Sequence, residues 1–236
     1  MRLDKLLANT GYGSRKEVKT LLKKRLVTVN SLIITDGKLH VEPNVDDIKV
    51  DGQSVSYQKN IYLMLNKPQG VISATVDDEA RTVIDLLPSS MQRFKPFPVG
   101  RLDKNTEGLL LLTNDGQLAH RLLSPKKDVG KTYIATIQGK VTIEDVDKFK
   151  NGIVLEDGYK TKPARLKILK SDEESEVEIT ITEGKFHQIK RMFRSVEKRV
   201  IYLKRVSMGK LTLDPSLPLG HYRELNEAEI AYCHSL

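Results

Sequence analysis

The stretch that most constrains this chain lies between residues 100 and 116. Four consecutive leucines at 109–112 are followed there by Thr-Asn-Asp-Gly. An apolar run without alternation that ends in turn residues predicts a short strand buried on both faces. Just upstream, an extended backbone would point Arg101 and Asp103 to one surface and Leu102 into the core. The segment therefore predicts a carboxylate beside a rigid, buried strand, which is a favourable place for chemistry.

The Gly-Arg-Leu-Asp sequence at 100–103 resembles the signature of the RNA pseudouridine synthases, specifically the RsuA branch of ribosomal RNA enzymes. In that family the aspartate of this motif is the catalytic residue, which implies catalysis by Asp103. From the four residues alone, the alternative is an ordinary surface ion pair between Arg101 and Asp103, an interaction that contributes little stability.

Three further segments match the synthase pattern in the family's order. They are Asn-Lys-Pro-Gln-Gly at 66–70, Lys-Thr-Tyr at 131–133 and Gly-Lys-Phe-His-Gln-Ile-Lys-Arg-Met at 184–192. The resemblance implies that Tyr133 packs under the target base and that Lys190 lies beside the catalytic acid. A register shift of one residue, to Arg191, remains open. Without the other motifs, β-propensity would explain Tyr133 equally well.

The composition indicates a polyanionic partner. The 236 residues, enough for one or two domains, include 39 Lys and Arg against 31 Asp and Glu, a net charge of +8. The single cysteine, Cys233, excludes an internal disulfide and fits a reducing compartment. The histidines lack metal-ligand spacing, so we expect no metal. The charged N-terminus and the absence of a long apolar run predict a cytoplasmic protein without a membrane segment.

Basic charge is concentrated at the N-terminus, where residues 1–26 contain eight basic and two acidic residues. Ser14 and Glu17 have the spacing of a capping box at the start of a helix. The four cations expected on its outer face, where they would bind RNA phosphates, are Arg15, Lys16, Lys19 and Lys23. A solvated amphipathic helix without a ligand is the alternative.

Residues 1–58 resemble the S4 RNA-binding domain, a small helix-helix-strand module. The closest matches are Arg-Leu-Asp-Lys-Leu-Leu-Ala-Asn at 2–9 and Gly-Ser-Arg-Lys-Glu at 13–17. Arg25 and Ser31 occupy positions where that family generally has glycine. If either turn requires a positive φ, a residue other than glycine there is strained.

Residues 59–236 are expected to form the catalytic domain. The apolar patterns predict strands at 61–65, 132–137, 164–169 and 177–182, and helices that begin after Thr142 and Asn226. Because strands and helices intermingle without regular βαβ spacing, we expect an α+β fold with a mixed, mostly antiparallel sheet.

A second basic segment spans 185–210, with nine basic residues and one acidic residue. On a helix, one continuous cationic face would contain His187, Lys190, Arg191 and Arg194. The opposite, apolar face would contain Ile189, Met192, Phe193 and Val196. Such charge density favours binding to an RNA backbone, with a solvated surface as the alternative.

The first hypothesis for function is site-specific conversion of a uridine to pseudouridine in small-subunit 16S rRNA. The segments at 121–126 and 152–158 favour the small-subunit group. The alternatives are a large-subunit 23S rRNA synthase of the same branch and a non-catalytic RNA-binding factor in ribosome assembly. Naked rRNA and a partly assembled 30S particle are both open as substrates, and we expect a monomer.

The reaction breaks the bond from ribose C1′ to uracil N1, turns the base and rejoins it through C5. Because no atoms are gained, no cofactor is expected. Asp103 would either attack the ribose or remove its 2′-proton. The target must also flip out of its stack. The resemblance implies that Arg101 fills the vacated space or binds phosphate, and that Leu203 lines the uracil pocket.

Overall fold

The structure is a computed structural model that describes residues 1–55, 57–124 and 127–236. The chain forms two compact units. The first comprises Met1–Ile61 and Pro88–Lys95, and the second comprises Tyr62–Leu87 and Pro96–Leu236. Pro125 and Lys126, which belong to the segment at 121–126 that favours the small-subunit group, lie outside the described residues.

The first unit consists of short helices and a four-stranded antiparallel sheet. The helices are α1 (Leu3–Asn9), α2 (Arg15–Lys23) and α3 (Ser89–Gln92). The strands are β1 (Val27–Val29), β2 (Leu32–Ile33), β3 (Ile48–Val50) and β4 (Gln53–Ser54), in the order β2-β1-β3-β4. Arg93, just after α3, donates a hydrogen bond of 3.0 Å to the carbonyl of Thr10.

The predicted helix start at Ser14 is confirmed. The Ser14 backbone N–H donates to Glu17 Oε2 at 2.6 Å, and the Glu17 N–H donates to Ser14 Oγ at 3.4 Å. The apolar stripes of the two helices, Leu3, Leu6 and Leu7 on α1 and Val18 and Leu22 on α2, are buried against one another and the sheet. The local capping signal and the periodic apolar pattern therefore specify the same helices.

Arg25 and Ser31 both adopt left-handed backbone conformations, with φ of 58° and 67°. These are the two positions where the S4 pattern generally has glycine, and they flank β1. The turns thus keep a geometry that glycine adopts without cost, and side chains at φ > 0 are disfavoured there. The strain expected from the sequence is present at both turns.

The second unit contains nine strands and four α-helices among the described residues. The strands are β5 (Tyr62–Lys67), β6 (Phe97–Pro98), β7 (Glu107–Thr113), β8 (Lys131–Gln138), β9 (Arg165–Lys170), β10 (Glu174–Ile181), β11 (Arg199–Met208), β12 (Leu211–Thr212) and β13 (Tyr222–Glu224). The helices are α4 (Gly116–Leu123), α5 (Ile143–Asn151), α6 (Gln188–Arg194) and α7 (Glu227–Ser235), with a 3-10 turn at Ile84–Leu86.

These strands form one sheet in the order β13-β5-β7-β11-β8-β10-β9, with β12 beside β11 and β6 beside β7. Of the strand pairs described, β7 with β11 is parallel and the others are antiparallel. The predicted α+β class with a mostly antiparallel sheet is confirmed. The four leucines of β7 are at most 2 % exposed, as expected for a strand covered on both faces.

Local signals also place the other predicted elements correctly. Thr142 caps α5 through a capping box with Asp145, and the helix stops at Gly152, whose φ is 81°. Asn226 caps α7 in the same way with Glu229. Helix α6 differs from its prediction because it begins at Gln188, so His187 precedes the helix.

Candidate active site

Six of the residues selected from the sequence converge on one cleft in the second unit. The cleft lies between the loop before β7, the start of α6 and the strands β8 and β11, and it has a volume of about 80 Å³. The six are Arg101, Asp103, Tyr133, His187, Lys190 and Leu203. Residues from four separate segments therefore contribute to one small concave site.

Asp103 forms an ion pair with Lys190. The Lys190 Nζ atom lies 3.0 Å from Oδ2, and the side chains are 29 % and 30 % exposed. Partial exclusion of water strengthens such a pair relative to one at the open surface. Lys190, rather than its neighbour Arg191, contacts the acid. The structure therefore has the predicted register and not the alternative that was shifted by one residue.

His187 approaches the other carboxylate oxygen, with Nε2 at 3.7 Å from Oδ1. Its backbone is left-handed, with φ of 49°. This conformation is fixed from both sides, because Gln188 donates its N–H to the carbonyl of Lys185 and accepts the Lys185 N–H at 2.9 Å. His187 is therefore the N-cap of α6 and not part of a continuous cationic helical face, which corrects the prediction.

Arg101 is exposed and lies on the cleft rim, while Leu102 between the two polar residues is only 5 % exposed. This alternation agrees with the extended backbone expected at 101–103. Among the described residues, Asp103 has its ion pairs with Lys190 and His187 and none with Arg101. The alternative interpretation of the motif, a surface ion pair between Arg101 and Asp103, is therefore wrong.

Arg191 lies in a different environment from the one predicted. Its Nε is 2.8 Å from Glu156 Oε1 and its Nη2 is 2.5 Å from Asp157 Oδ2, and only 14 % of its side chain is exposed. Two hydrogen-bonded carboxylates thus neutralise the guanidinium, which raises its pKa further. Arg194, one turn later on α6, is exposed, so the outer face of this helix presents fewer uncompensated cations than the sequence suggested.

The basic segment at 185–210 is in part structural. Lys198 forms an ion pair of 3.0 Å with the buried Asp145, and Lys185 lies over the Tyr159 ring at 4.9 Å. Arg205 is only 2 % exposed and donates from Nε to the carbonyl of Leu109 at 2.7 Å. Charge counting missed these contacts because sequence does not reveal which cations face a carboxylate or the core.

Tyr133 and Leu203 form the apolar floor of the cleft. Tyr133 on β8 is 7 % exposed and lies directly opposite Ile179 on β10 and Arg205 on β11. Directly opposed residues project to the same face of a sheet, and so does a residue two positions along either strand. Leu203 therefore shares that face, and both side chains present apolar surface toward Asp103.

Lys67, which no sequence argument selected, fixes the backbone of the loop that carries Asp103. Its fully buried Nζ donates to the carbonyls of Pro68, Asp103, Lys104 and Thr106 at 2.9–3.3 Å. Burial lowers its pKa to about 8, although the charges of Asp103 and Glu107 act in the opposite direction. The Asn-Lys-Pro-Gln-Gly motif could have revealed this residue, since a lysine at the end of a buried strand needs several acceptors.

A second clamp on the same loop comes from Ser73. Its hydroxyl donates to the carbonyl of Leu102 at 2.9 Å and accepts the Leu102 N–H at 3.0 Å. Both hydrogen bonds act on the residue just before Asp103. Together, Lys67 and Ser73 position the carboxylate through the backbone, which rigid sites require.

The depressed pKa of Lys67 predicts a pH-dependent stability. In the folded chain Lys67 releases its proton near pH 8, whereas in the unfolded chain it keeps the proton until about pH 10.4. The unfolded state binds more protons in this window, so the free energy of unfolding contributed by Lys67 rises with pH by on the order of 1–3 kcal/mol. Urea unfolding of the native chain and of Lys67→Met measures this as a difference that grows from about pH 8 to about pH 10. A pH-independent difference would contradict it.

The four cations of α2 are all exposed on the first unit. Arg15, Lys16, Lys19 and Lys23 share its solvent side, while Val18 and Leu22 are buried. No ion pair to these four is formed within the described part of the chain. Their charged groups therefore face solvent.

Two other kinds of feature are absent from residues 1–55, 57–124 and 127–236. No helix there is long and apolar enough to cross a membrane, and no three metal-ligating side chains cluster.

Comparison with protein families gives two matches. Residues 61–195 match the RNA pseudouridylate synthase family, and residues 1–47 match the S4 domain. A pseudouridylate synthase crystal structure superposes with a TM-score of 0.69 and 34 % sequence identity, covering 99 % of each chain.

Relatives are similar over nearly the whole chain. An uncharacterized RNA pseudouridine synthase, YtzG, from Bacillus subtilis is 55 % identical over 98 % of this chain and 97 % of its own. Ribosomal large subunit pseudouridine synthase B from B. subtilis is 40 % identical, covering 100 % and 96 %. Ribosomal small subunit pseudouridine synthase A from Escherichia coli is 38 % identical, covering 98 % and 99 %.

An S4 domain followed by a mostly antiparallel sheet, with a carboxylate in a cleft at its centre, defines an RNA-modifying isomerase. The chain belongs to the RNA pseudouridylate synthase family.

Proposed function

We propose that this protein converts one uridine of small-subunit 16S rRNA to pseudouridine, with Asp103 as the catalytic residue. The observation that carries the proposal is the Asp103–Lys190 ion pair of 3.0 Å in a cleft floored by Tyr133 and Leu203. This arrangement holds a carboxylate and a cation beside an aromatic and an aliphatic side chain on which a base can pack.

In the proposed mechanism, the target uridine leaves its stack and enters the cleft. Asp103 attacks ribose C1′ or removes the 2′-proton, and the bond from C1′ to N1 breaks. The uracil then turns while packed on Tyr133, and its C5 bonds to C1′. In the first route this bond displaces Asp103 from C1′, and in the second the proton that Asp103 removed returns to C2′. The proton leaves C5 and N1 takes one up, so the product is an isomer of the substrate. Lys190 holds the Asp103 carboxylate in place through their ion pair, and Arg101 on the rim occupies the space that the base vacated or binds a phosphate.

The choice of subunit is the finer part of the proposal. Relatives with similar identity are named for the small and for the large ribosomal subunit, so overall similarity does not separate them. The Gly-Ile-Val-Leu-Glu-Asp-Gly segment at 152–158 favours the small subunit. A 23S rRNA substrate is the alternative that the same relatives support. A factor that binds RNA without modifying it is not favoured, because the cleft contains the acid, the cation and the aromatic floor together.

The proposal includes the organisation of the molecule. We place the RNA-binding module at residues 1–58 and the catalytic domain at residues 59–236, in a cytoplasmic monomer that needs no cofactor. His187, Arg194 and the four cations of α2 would bind rRNA. Arg191 would act indirectly, by holding the Glu156 and Asp157 carboxylates in place through its ion pairs.

The experiment that tests the function compares three substrates in single-turnover reactions. Purified protein is incubated with 16S transcript, 23S transcript and partly assembled small-subunit particles, and pseudouridine is measured by mass spectrometry. We expect product at one site of the 16S RNA or of the particle. Product only in 23S RNA would support the alternative, and binding without any product would support the non-catalytic factor.

The helix α2 cations should contribute affinity and not chemistry. We expect Lys16→Glu combined with Lys19→Glu to weaken rRNA binding by about 10- to 100-fold at moderate salt, because each phosphate contact releases counterions. The slope of log affinity against log salt should decrease by about two, with an unchanged single-turnover rate at saturation. The exposed pair Lys148 and Lys150 on α5, changed to Glu, serves as the control. Equal salt slopes for native and α2-substituted proteins would refute the role.

A further inference from the structure

A second cavity of about 460 Å³ adjoins the Asp103 cleft. His187 and Lys190 line both spaces, so the two are adjacent. The second cavity is also lined by Phe186 and by the carboxylates Glu156 and Asp157. The mechanism proposed above places nothing in this space.

Phe186 is unusual because 68 % of this large aromatic residue is exposed. One face of its ring stacks on the His187 ring, with centroids 3.8 Å apart and an interplanar angle of 21°. The high exposure leaves the opposite face open. Gln188 fixes the backbone turn that carries His187, and an open aromatic face stacked on it accepts any nucleobase.

The carboxylates that line this cavity with Phe186 come from a tight turn. Leu155 N–H donates to the carbonyl of Tyr159, and Gly158 N–H donates to that of Leu155, so the turn presents Glu156 and Asp157 at its tip. Arg191 contacts both acids, yet their side chains remain 52 % and 54 % exposed. An ionised carboxylate accepts several hydrogen bonds, so each retains acceptor capacity toward the cavity.

The geometry points to a binding subsite for the nucleobase directly adjacent to the target uridine, stacked on Phe186 and donating an exocyclic amino group to Glu156 or Asp157. The inference rests on the proposed function and deepens it. Cytosine, adenine and guanine carry such a group and uracil does not, so the subsite discriminates against uracil at that position.

The distances suit a neighbouring nucleotide. His187 Nε2 lies 3.7 Å from the Asp103 carboxylate, and its ring is one stacking distance from Phe186. A base on Phe186 is therefore one residue away, along the strand, from a uridine at Asp103. Lys190, at the junction of the two spaces, lies where the connecting phosphate passes. The segment at 152–158, which favoured the small-subunit group, would then select sequence context.

The test uses a library of RNA hairpins whose loops contain one fixed uridine with randomised neighbours. Asp103→Asn protein, in which chemistry is blocked, selects bound RNAs, and these are sequenced. We expect one position beside the uridine to favour amino-bearing bases over uracil by about 5- to 20-fold, because only these bases, once stacked on Phe186, donate a hydrogen bond to Glu156 or Asp157. Adding Phe186→Ala should reduce this preference below about 2-fold, and Phe186→Tyr should retain it.

Ile143→Ala, which truncates an apolar residue 70 % exposed at the start of α5, is the matched control and should leave the preference intact. The absence of a positional preference, or a preference that survives Phe186→Ala, would overturn the subsite. Pseudouridine formation by native protein on the same library is measured separately. A preference without product would reject the proposed function and keep the subsite, whereas product without a preference would reject the subsite alone.

Discussion

Replacing Asp103 with Asn should abolish pseudouridine formation, because removing a catalytic nucleophile or base typically lowers the rate by about 10⁴-fold or more. The affinity for RNA should stay within about 3-fold of that of the native protein. The amide has the same shape as the carboxylate, but it is neither a nucleophile nor a base. The fold should tolerate the change, because this side chain is 30 % exposed. The backbone carbonyl of residue 103, which accepts a hydrogen bond from Lys67, is also retained.

The measurement combines single-turnover product analysis with filter binding of the same rRNA. Asp172→Asn, an exposed carboxylate distant in sequence from the site motifs, is the control and should retain the native rate. Native-like product formation by Asp103→Asn would exclude Asp103 as the catalytic residue. Loss of both binding and product would instead indicate a role in RNA contact.

Replacing Gly108 with Ala should have the largest effect on stability. Gly108 has φ of 101°, and a Cβ atom there would lie 2.2 Å from the carbonyl oxygen and 2.8 Å from the nitrogen of Arg205. The obstacle is the backbone of the paired strand β11, which a side-chain rotation cannot relieve. We expect a loss of about 4 kcal/mol or more, since strained backbone and overpacking each cost about 1–3 kcal/mol.

Thermal unfolding followed by circular dichroism measures this effect. A loss of about 4 kcal/mol corresponds to a decrease in Tm of about 8–16 °C for a domain of this size. Gly116→Ala is the matched control, because Gly116 is the first residue of α4 and nothing lies within 4 Å of its Cβ position. It should be neutral or slightly stabilising. A Gly108→Ala protein with the native Tm would show that β7 and β11 separate more easily than the structure indicates.

The sequence was informative wherever the signal is local. Capping at Ser14, Thr142 and Asn226 and the buried run of β7 depend on neighbours along the chain, and the structure confirms them. The strain at Arg25 and Ser31 followed from the absence of glycine. In the candidate site, Asp103, Tyr133 and Lys190 came from motifs whose order was recognisable, and the fold brings them together.

Long-range partners were not accessible in the same way. Arg191 was assigned to RNA because its carboxylate partners lie more than 30 residues away along the chain. The role of Lys67 could not be predicted from the sequence, because its acceptors are backbone carbonyls, which carry no sequence signature. His187 lies before α6 and not within it, because a hydrogen bond between Lys185 and Gln188 stabilises a turn there. The periodicity of the sequence does not predict that contact.

The central claim is tested most directly by mapping pseudouridines in rRNA from cells with the gene, without it, and with the Asp103→Asn allele restored. We predict that one pseudouridine of small-subunit rRNA disappears when the gene is absent, returns with the native gene and does not return with Asp103→Asn. An unchanged map in cells without the gene, or restoration of the modification by Asp103→Asn, would contradict the account.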